Sequence, residues 1–471
     1  MVVGGDVDSV EVARGPTETL KAWERLKLGL FIHFGLSTFT GNEFGRIEAP
    51  STAYAPTGLD VDQWIETAQA AGMHYAVLTV KHHYGHALWP SRHSDYTVAT
   101  SSDTRDVVRL FVDACRKRRV RPGFYYSLGW DRRHMPSMKP EEYLEFALNQ
   151  VTELLTEYGP ITELWFDIPW DCGPDTRGAL ERLYRHCKSL QPRCLVLLNQ
   201  GFVDGSQVAS TKPTYAGVVA SEELVPIWPK DLNNGERVWP REAGHDPWIT
   251  FEGVRRYIPN EVCDSLGQRR WFWGAEDDVR PARQLVELYR RSVLRGSNLL
   301  LNIGPDQNGR LPDEMVARLL EVSRLIKHPH QVRDSLLWGC KATASNVYGG
   351  DVASWGPQHA IDMDIGAEGG TRWATDDEVR SAWLEVNLGK PRLMGQATIS
   401  EHLDSVRAWE LQVPDARTGW RTIYRGTRIG GPGVDVRFDP VQSDRIRLSI
   451  TQATLGPTIW DFAVYAPKGG R

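Results

Sequence analysis

Residues 161–167 read ITELWFD, an apolar run that closes on one carboxylate and then, past Ile168, breaks at Pro169. A charge at the end of a stretch that otherwise reads as buried strand either caps the next element or faces a site. The same pattern recurs on both sides. LGLFIHFG (28–35), YAVLTVKHH (75–83), RPGFYYSLGW (121–130) and CLVLLNQG (194–201) are short apolar runs, and with 161–167 they end on His33, His82, Tyr126, Asp167 and Asn199. Between them lie amphipathic stretches such as 59–72, 105–118, 141–159 and 176–190, whose apolar residues return at three- and four-residue steps. Near-continuous apolar strands alternating with such helices predict a parallel sheet covered by helices. Strand ends recur roughly every 30–50 residues, one βα unit each, and no glycine-rich phosphate loop follows the first strand. The fold class is therefore α/β, a (β/α)8-type barrel, in which the C-terminal ends of the strands face one site.

Residues 201–260 break the rhythm with Pro, Gly, Asn and Trp, and a loop of that length in a compact domain is usually functional. The barrel is expected to resume at RWFWG (270–274), followed by a helix over 280–296, a strand over 297–305 and a closing helix over 311–327. Beyond about residue 335, short alternating runs separated by turns predict an all-β sandwich or jelly roll. The predicted domains are 1–335 and 336–471, as 471 residues exceed what one core usually supports.

Composition narrows the function. The chain is 41% hydrophobic and 24% charged with net charge −5, which gives no field suited to nucleic acid or an anionic membrane. Eighteen tryptophans tilt the reading toward carbohydrate, whose C–H faces stack on indole. Six cysteines without a CxxC pair read as buried thiols. With no signal peptide pattern and no membrane-length apolar run, a cytoplasmic protein is expected, or a secreted one if a leader was removed. Composition alone leaves the strand-end histidines open between a metal site, sugar hydroxyls and packing, because two adjacent histidines diverge unless the backbone bends.

Five collinear segments carry a resemblance. WERLKLGLFIHFGLSTFTGNEFG (23–45), AGMHYAVLTVKHHYGHALWPSRHSDYTV (71–98), GFYYSLGWD (123–131), ELWFD (163–167) and SNLLLNIGPDQNGRLP (297–312) resemble the family 29 α-L-fucosidases over about residues 20–330. The resemblance implies a retaining exo-α-L-fucosidase that acts on terminal α-L-fucosides of a glycan by double displacement and uses no metal or other cofactor. It makes Asp167 the nucleophile. It puts His33, His82, His83, Glu43, Trp89 and Tyr126 on the sugar, and Trp271 against its C5 methyl. REAGHDPW (241–248) resembles a segment of the α-1,3/1,4-specific branch and offers Glu242 as acid/base, with Glu261, then Glu276 and Glu223, as runners-up. Phe44 and Tyr84 depart from the family's usual Trp and Asp. AIDMDIGAEGGTRWATDDEVRSAWLEVNLG (360–389) resembles a discoidin or family 32 carbohydrate-binding module, where Asp362 and Thr371 could hold a structural calcium although Met363 replaces the usual glycine. Two other readings remain: a metal-dependent barrel hydrolase built on His33, His82, His83 and Asp167, and a catalytically silent fucose-binding lectin.

Overall fold

The computed structural model describes residues 12–169, 175–199, 227–240, 244–251, 253–328, 335–362, 372–430 and 433–467. Helix α1 (Glu18–Glu24) starts on Thr17, whose hydroxyl accepts from the Leu20 N–H, and buries Leu20 and Trp23. Strand β1 (Leu28–Ile32) follows, then the short α2 (Leu36–Thr40). Units α3 (Val61–Ala70) with β2 (Tyr75–Lys81), α4 (Val107–Arg118) with β3 (Arg121–Ser127), α5 (Pro140–Glu157) with β4 (Glu163–Asp167) and α6 (Thr176–Leu190) with β5 (Leu195–Leu198) then repeat. Asp60, Asp106 and Asp175 cap α3, α4 and α6, each taking a backbone N–H from the first turn. All residues of β1, β2, β4 and β5 are buried, as strands with helices outside and a filled interior inside must be.

The irregular region contains a strand the pattern did not show, β6 (Asn233–Glu236, NNGE), and a hairpin of β7 (Trp248–Phe251) and β8 (Val254–Tyr257). The barrel continues with β9 (Asn260–Ser265), α7 (Ala282–Ser292), β10 (Asn298–Asn302) and α8 (Asp313–Lys327). The expectation that the barrel resumes at 270–274 is corrected: it resumes at β9, and RWFWG lies in the loop past its C-terminal end. The order β5-β4-β3-β2-β1-β10-β9-β6 is parallel throughout, and a parallel bridge between Leu197 and Leu232 joins β5 to β6. Its interior is packed by Phe31, Tyr75, Tyr125, Trp165 and Leu300, with Trp23 beneath them.

Two compact units result: Met1–Asp277 with Tyr289–Ser323, and Asp278–Leu288 with Arg324–Arg471. The sequence reading cuts once, after residue 335; here the units meet at Ser323/Arg324, and the ion pair of Arg283 with Asp461 ties Asp278–Leu288 into the second unit. The second unit is an antiparallel β-sandwich built on β11 (Lys341–Ala344), β12 (Trp373–Ala374), β13 (Ala382–Glu401), β14 (Val406–Asp415), β15 (Gly419–Gly426), β16 (Val434–Ala453) and β17 (Thr458–Tyr465). Register slips in the β13–β16 pair bend these 20-residue strands around a core that includes Trp373, Ile399, Trp409, Leu411 and Leu448. Asp362 faces His359 at 3.3 Å, while Met363 and Thr371 lie outside the described residues. None of the described helices is long and apolar enough to cross a membrane. The five described cysteines are unpaired, four of them buried.

Candidate active site

The C-terminal ends of the barrel strands form a cleft lined by His33, Glu43, Phe44, His82, His83, Tyr125, Trp165, Asp167, Asn199, Glu236 and Trp271 among others. Asp167 is the last residue of β4 and is 8% exposed. Three donors hold its carboxylate. The Tyr125 hydroxyl donates to Oδ2, and Oδ1 accepts from Asn199 Nδ2 at 2.7 Å and from the Ile168 N–H at 2.9 Å. Its carbonyl accepts from the N–H groups of Leu128 and Gly129. Gly129 has to be glycine, because a Cβ there would stand 2.5 Å from the Ile168 carbonyl oxygen.

Three neutral imidazoles face this carboxylate. His33 follows β1, and its Nδ1 lies 2.7 Å from Asn302 Oδ1. The Asn302 amide gives its N–H groups to Ser265 Oγ and the Trp271 carbonyl, so its oxygen accepts from His33 Nδ1–H and leaves Nε2 as an acceptor toward the cleft. His83 repeats the device. Ser127 donates to the Gly129 carbonyl and so accepts from His83 Nδ1, leaving Nε2 3.8 Å from Asp167 Oδ2. Burial drives the His33 pKa down to about 3 and that of His83 to about 4, and also pushes His82 well below the ordinary value. His82 Nδ1 is buried and finds no partner among the described residues. Both neighbouring histidines reach one cleft because the register of β2 against β3 slips between Thr79 and Lys81, a bulge that supplies the bend adjacent histidines require.

Glu43 closes the opposite wall. Its Oε1 accepts from the Trp271 and Phe272 N–H groups at 2.8 and 2.7 Å and lies 3.7 Å from Arg270 Nε. Burial pushes this carboxyl above its usual range, while those two N–H groups and Arg270 pull it back. The Trp271 ring stacks on His33 at 5.1 Å, with the Arg237 guanidinium 4.8 Å from the indole. Phe44, 44% exposed, lies parallel to His83 at the rim, and Tyr84 donates to Thr40.

Two expected contacts are corrected. Tyr126 points to the helix side of β3, where its hydroxyl donates to Gln150 at 2.8 Å and its ring covers Lys81. Alternation along the strand puts its neighbour Tyr125 in the cleft instead. After His83 the chain doubles back along β2, with an antiparallel bridge from Lys81 to Ala87, and carries Trp89 outward to donate to Glu153 on α5.

Of the acid/base candidates, Glu242 and Glu223 lie outside the described residues. Glu276 pairs with Arg270 at the surface and does not line the cleft. Glu261, near the start of β9, accepts from Tyr75 and Trp165 and adjoins Glu163 deep in the barrel, so it is a floor residue and not a cleft residue. Tyr125, Asn199, Asn302 and Glu236 were missed as site residues. Asn199 was visible as a strand end, whereas nothing in NNGE signals a strand. As to metals, ligand atoms of His82, His83 and Asp167 lie within 4.8 Å of one another, so these three could converge on a cation.

The comparisons agree across both units. The alpha-L-fucosidase family model matches residues 48–329, and the F5/8 type C domain model matches residues 341–462. Alpha-L-fucosidase 1 of Arabidopsis thaliana is 27% identical over 96% of this chain and 88% of its own length. A relative from Oryza sativa subsp. japonica, named for the same activity, is 30% identical over 96% of this chain and 84% of its own. The Ruminococcus gnavus fucosidase crystallised with fucose covers 98% of each chain with TM-score 0.53, a likeness of fold alone at 19% identity. With more than half of its length matched by that family model and its relatives aligned through both units, the chain belongs to the α-L-fucosidase family and carries a C-terminal F5/8 type C domain.

Proposed function

We propose that this chain is a retaining exo-α-L-fucosidase that removes terminal α-L-fucose from glycans through a covalent fucosyl-enzyme. The observation that carries this reading is Asp167, a strand-end carboxylate fixed by three donors in a cleft whose imidazoles accept hydroxyl protons. Asp167 attacks the anomeric carbon. His33 and His83 each accept from a sugar hydroxyl through Nε2, His82 meets the sugar with the part of its ring left exposed in the cleft, and Glu43 takes a further hydroxyl. Trp271 offers an apolar face to the C5 methyl, whose burial is worth about 0.8 kcal/mol per carbon. A second carboxyl group must protonate the leaving oxygen, and sequence resemblance offers Glu242 for it.

Turnover of a nitrophenyl α-L-fucoside tests the activity, and Asp167→Gly tests the nucleophile. With azide, that variant should yield β-L-fucosyl azide, because azide enters from the face the carboxylate left. Wild-type protein that leaves the fucoside intact would sink the reading. A panel of α-1,2-, α-1,3-, α-1,4- and α-1,6-fucosylated oligosaccharides assigns the linkage.

A further inference from the structure

We propose that the rim beside His83 is a subsite for the part of the glycan beyond the fucose, and that it selects a sugar bearing an anionic group, a sulfate or a carboxylate. The inference rests on the fucosidase reading above and adds to it the charge of the preferred substrate.

Three segments meet at this rim: 43–46, 83–85 and 130–132. Gly45 has φ +62, and a Cβ there would stand 3.1 Å from the Tyr84 nitrogen and 3.2 Å from Arg132 Cγ, so only glycine lets the first segment lie on the other two. The Arg132 N–H donates to the His83 carbonyl at 2.9 Å and ties the third segment to the second. Two aromatic rings stand on this base. Phe44 lies parallel to His83 with centroids 6.4 Å apart, and Trp130 meets the same imidazole edge-on at 5.4 Å. Trp130 is held at φ +56, a conformation that a bulky residue adopts only when its surroundings impose it. A guanidinium flanks each ring: Arg46 Cζ is 5.2 Å from the Phe44 centroid, and Arg132 Cζ is 5.5 Å from that of Trp130. Phe44, Arg46 and Arg132 are all exposed.

The two carboxylates that these segments carry are committed elsewhere. Asp131 pairs with buried Lys81, and Glu43 is engaged by two backbone N–H groups and faced by Arg270. Among the described residues, neither the Arg46 nor the Arg132 guanidinium takes part in an ion pair or a hydrogen bond. Two positive charges are thus left open at one rim of a chain whose net charge is −5. An exo-acting cleft holds the fucose inside, so the rest of the glycan lies along the rim. A neutral sugar there would need only the aromatic faces. A guanidinium adds a planar fork of N–H donors that matches the paired oxygens of a sulfate or carboxylate, and a ring beside it holds that fork in place without neutralising it.

The test measures kcat/KM for matched fucosylated oligosaccharides: one neutral, one sulfated, and one with a carboxylate, each anion placed on the sugar that bears the fucose or on its neighbour. At low ionic strength the wild type should favour at least one anionic member about tenfold, as one or two partly exposed charged hydrogen bonds allow. Which member is favoured names the group. Raising the salt from about 0.02 M to about 0.3 M should bring the ratio toward one. Arg46→Gln and Arg132→Gln should each lower the ratio about threefold, and Arg46→Glu should reverse it in favour of the neutral substrate. Taking the ratio within each variant cancels changes in fucose binding and in the amount of folded protein. A wild-type ratio near one for both anionic members, or a preference that Arg46→Glu and Arg132→Gln both leave intact, overturns the proposal. The fucosidase reading then still stands on turnover of the nitrophenyl fucoside. Inactivity of the wild type on every fucoside overturns both.

Discussion

Strand β4 carries a carboxyl group at each end, Glu163 at the barrel floor and Asp167 at its mouth, and four residues of strand put both on the inward face. Their surroundings differ in what supplies the protons. At the mouth, Tyr125, Asn199 and the Ile168 N–H all donate to Asp167, and one wall is open to solvent. At the floor, Trp23 donates to Glu163 Oε2, but Oε1 finds no N–H or O–H donor and meets the Glu261 carboxyl. Burial there lifts Glu261 to about 7 and Glu163 well above its ordinary range, so the pair keeps a proton. Between the two ends, Trp165 lines the cleft from below and donates downward to Glu261. One strand thus presents a carboxyl group held by three donors in the cleft at one end and a shared proton at the other.

The largest effect expected from breaking this contrast is at Asp167 itself. Asp167→Gly should lower kcat by at least about 10³-fold, with azide rescue as the check. Next comes Tyr125→Phe, which strips the donor from Oδ2. A hydrogen bond to a charged group contributes about 1.5–3 kcal/mol, so kcat should fall roughly 10–100-fold with the fold intact. Tyr126→Phe is its control on the other face of β3. It frees Gln150 of a partner, costs about 1–2 kcal/mol of stability in urea melts, and leaves kcat at the wild-type level. If the Tyr126 variant loses turnover and the Tyr125 variant does not, the assignment of faces is reversed.

The same alternation marks how far the sequence could be read. Apolar runs of four to seven residues identified β1 to β5 and β10, because burial on both faces leaves a composition that periodicity detects. Asp167 and His33 follow from those runs as strand ends. Which of Tyr125 and Tyr126 faces inward depends on register, and only the pairing of Tyr125 with Trp165 and of Ser127 with Asp167 fixes it. Strand β6 reads NNGE because Asn233 and Asn234 are buried against Lys230 and Asn199 while Glu236 lines the cleft, so no apolar signal exists to find it. Glu261 stands as an acid/base runner-up for the converse reason: IPNEVCDS holds a buried strand whose polar side chains bond to residues outside the segment, Glu261 to Tyr75 and Asn260 to Ser297.

The two ends also answer pH with opposite sign. The mouth histidines have folded pKa values below 6.5, so their stabilisation is complete above that pH and lost as the pH falls toward about 4 and then 3. The floor carboxyls have folded values above 4.5, so their stabilisation is complete below that pH and lost as the pH rises toward about 7. Glu163→Gln removes the floor contribution, and its amide can donate to Glu261 where a proton was needed. Relative to wild type, the variant should gain on the order of 1–3 kcal/mol between pH 5 and pH 8, read from urea midpoints. Parallel profiles for the two proteins would mean that the floor pair holds no proton.

The smallest expected effect concerns the cation that His82, His83 and Asp167 could hold. A metal there would do to Asp167 what the proton does at the floor, neutralising the carboxylate and drawing its lone pairs away from the anomeric carbon. It would also compete with the Tyr125 hydroxyl for Oδ2. Fucoside turnover should therefore survive exhaustive chelation unchanged, and added Zn²⁺ should inhibit in competition with fucose, being bound in the cleft the sugar needs. Activity lost to chelation and restored by a divalent ion would overturn the contrast, because both ends of β4 would then carry a neutralised carboxylate and the nucleophile would have to come from water on the metal.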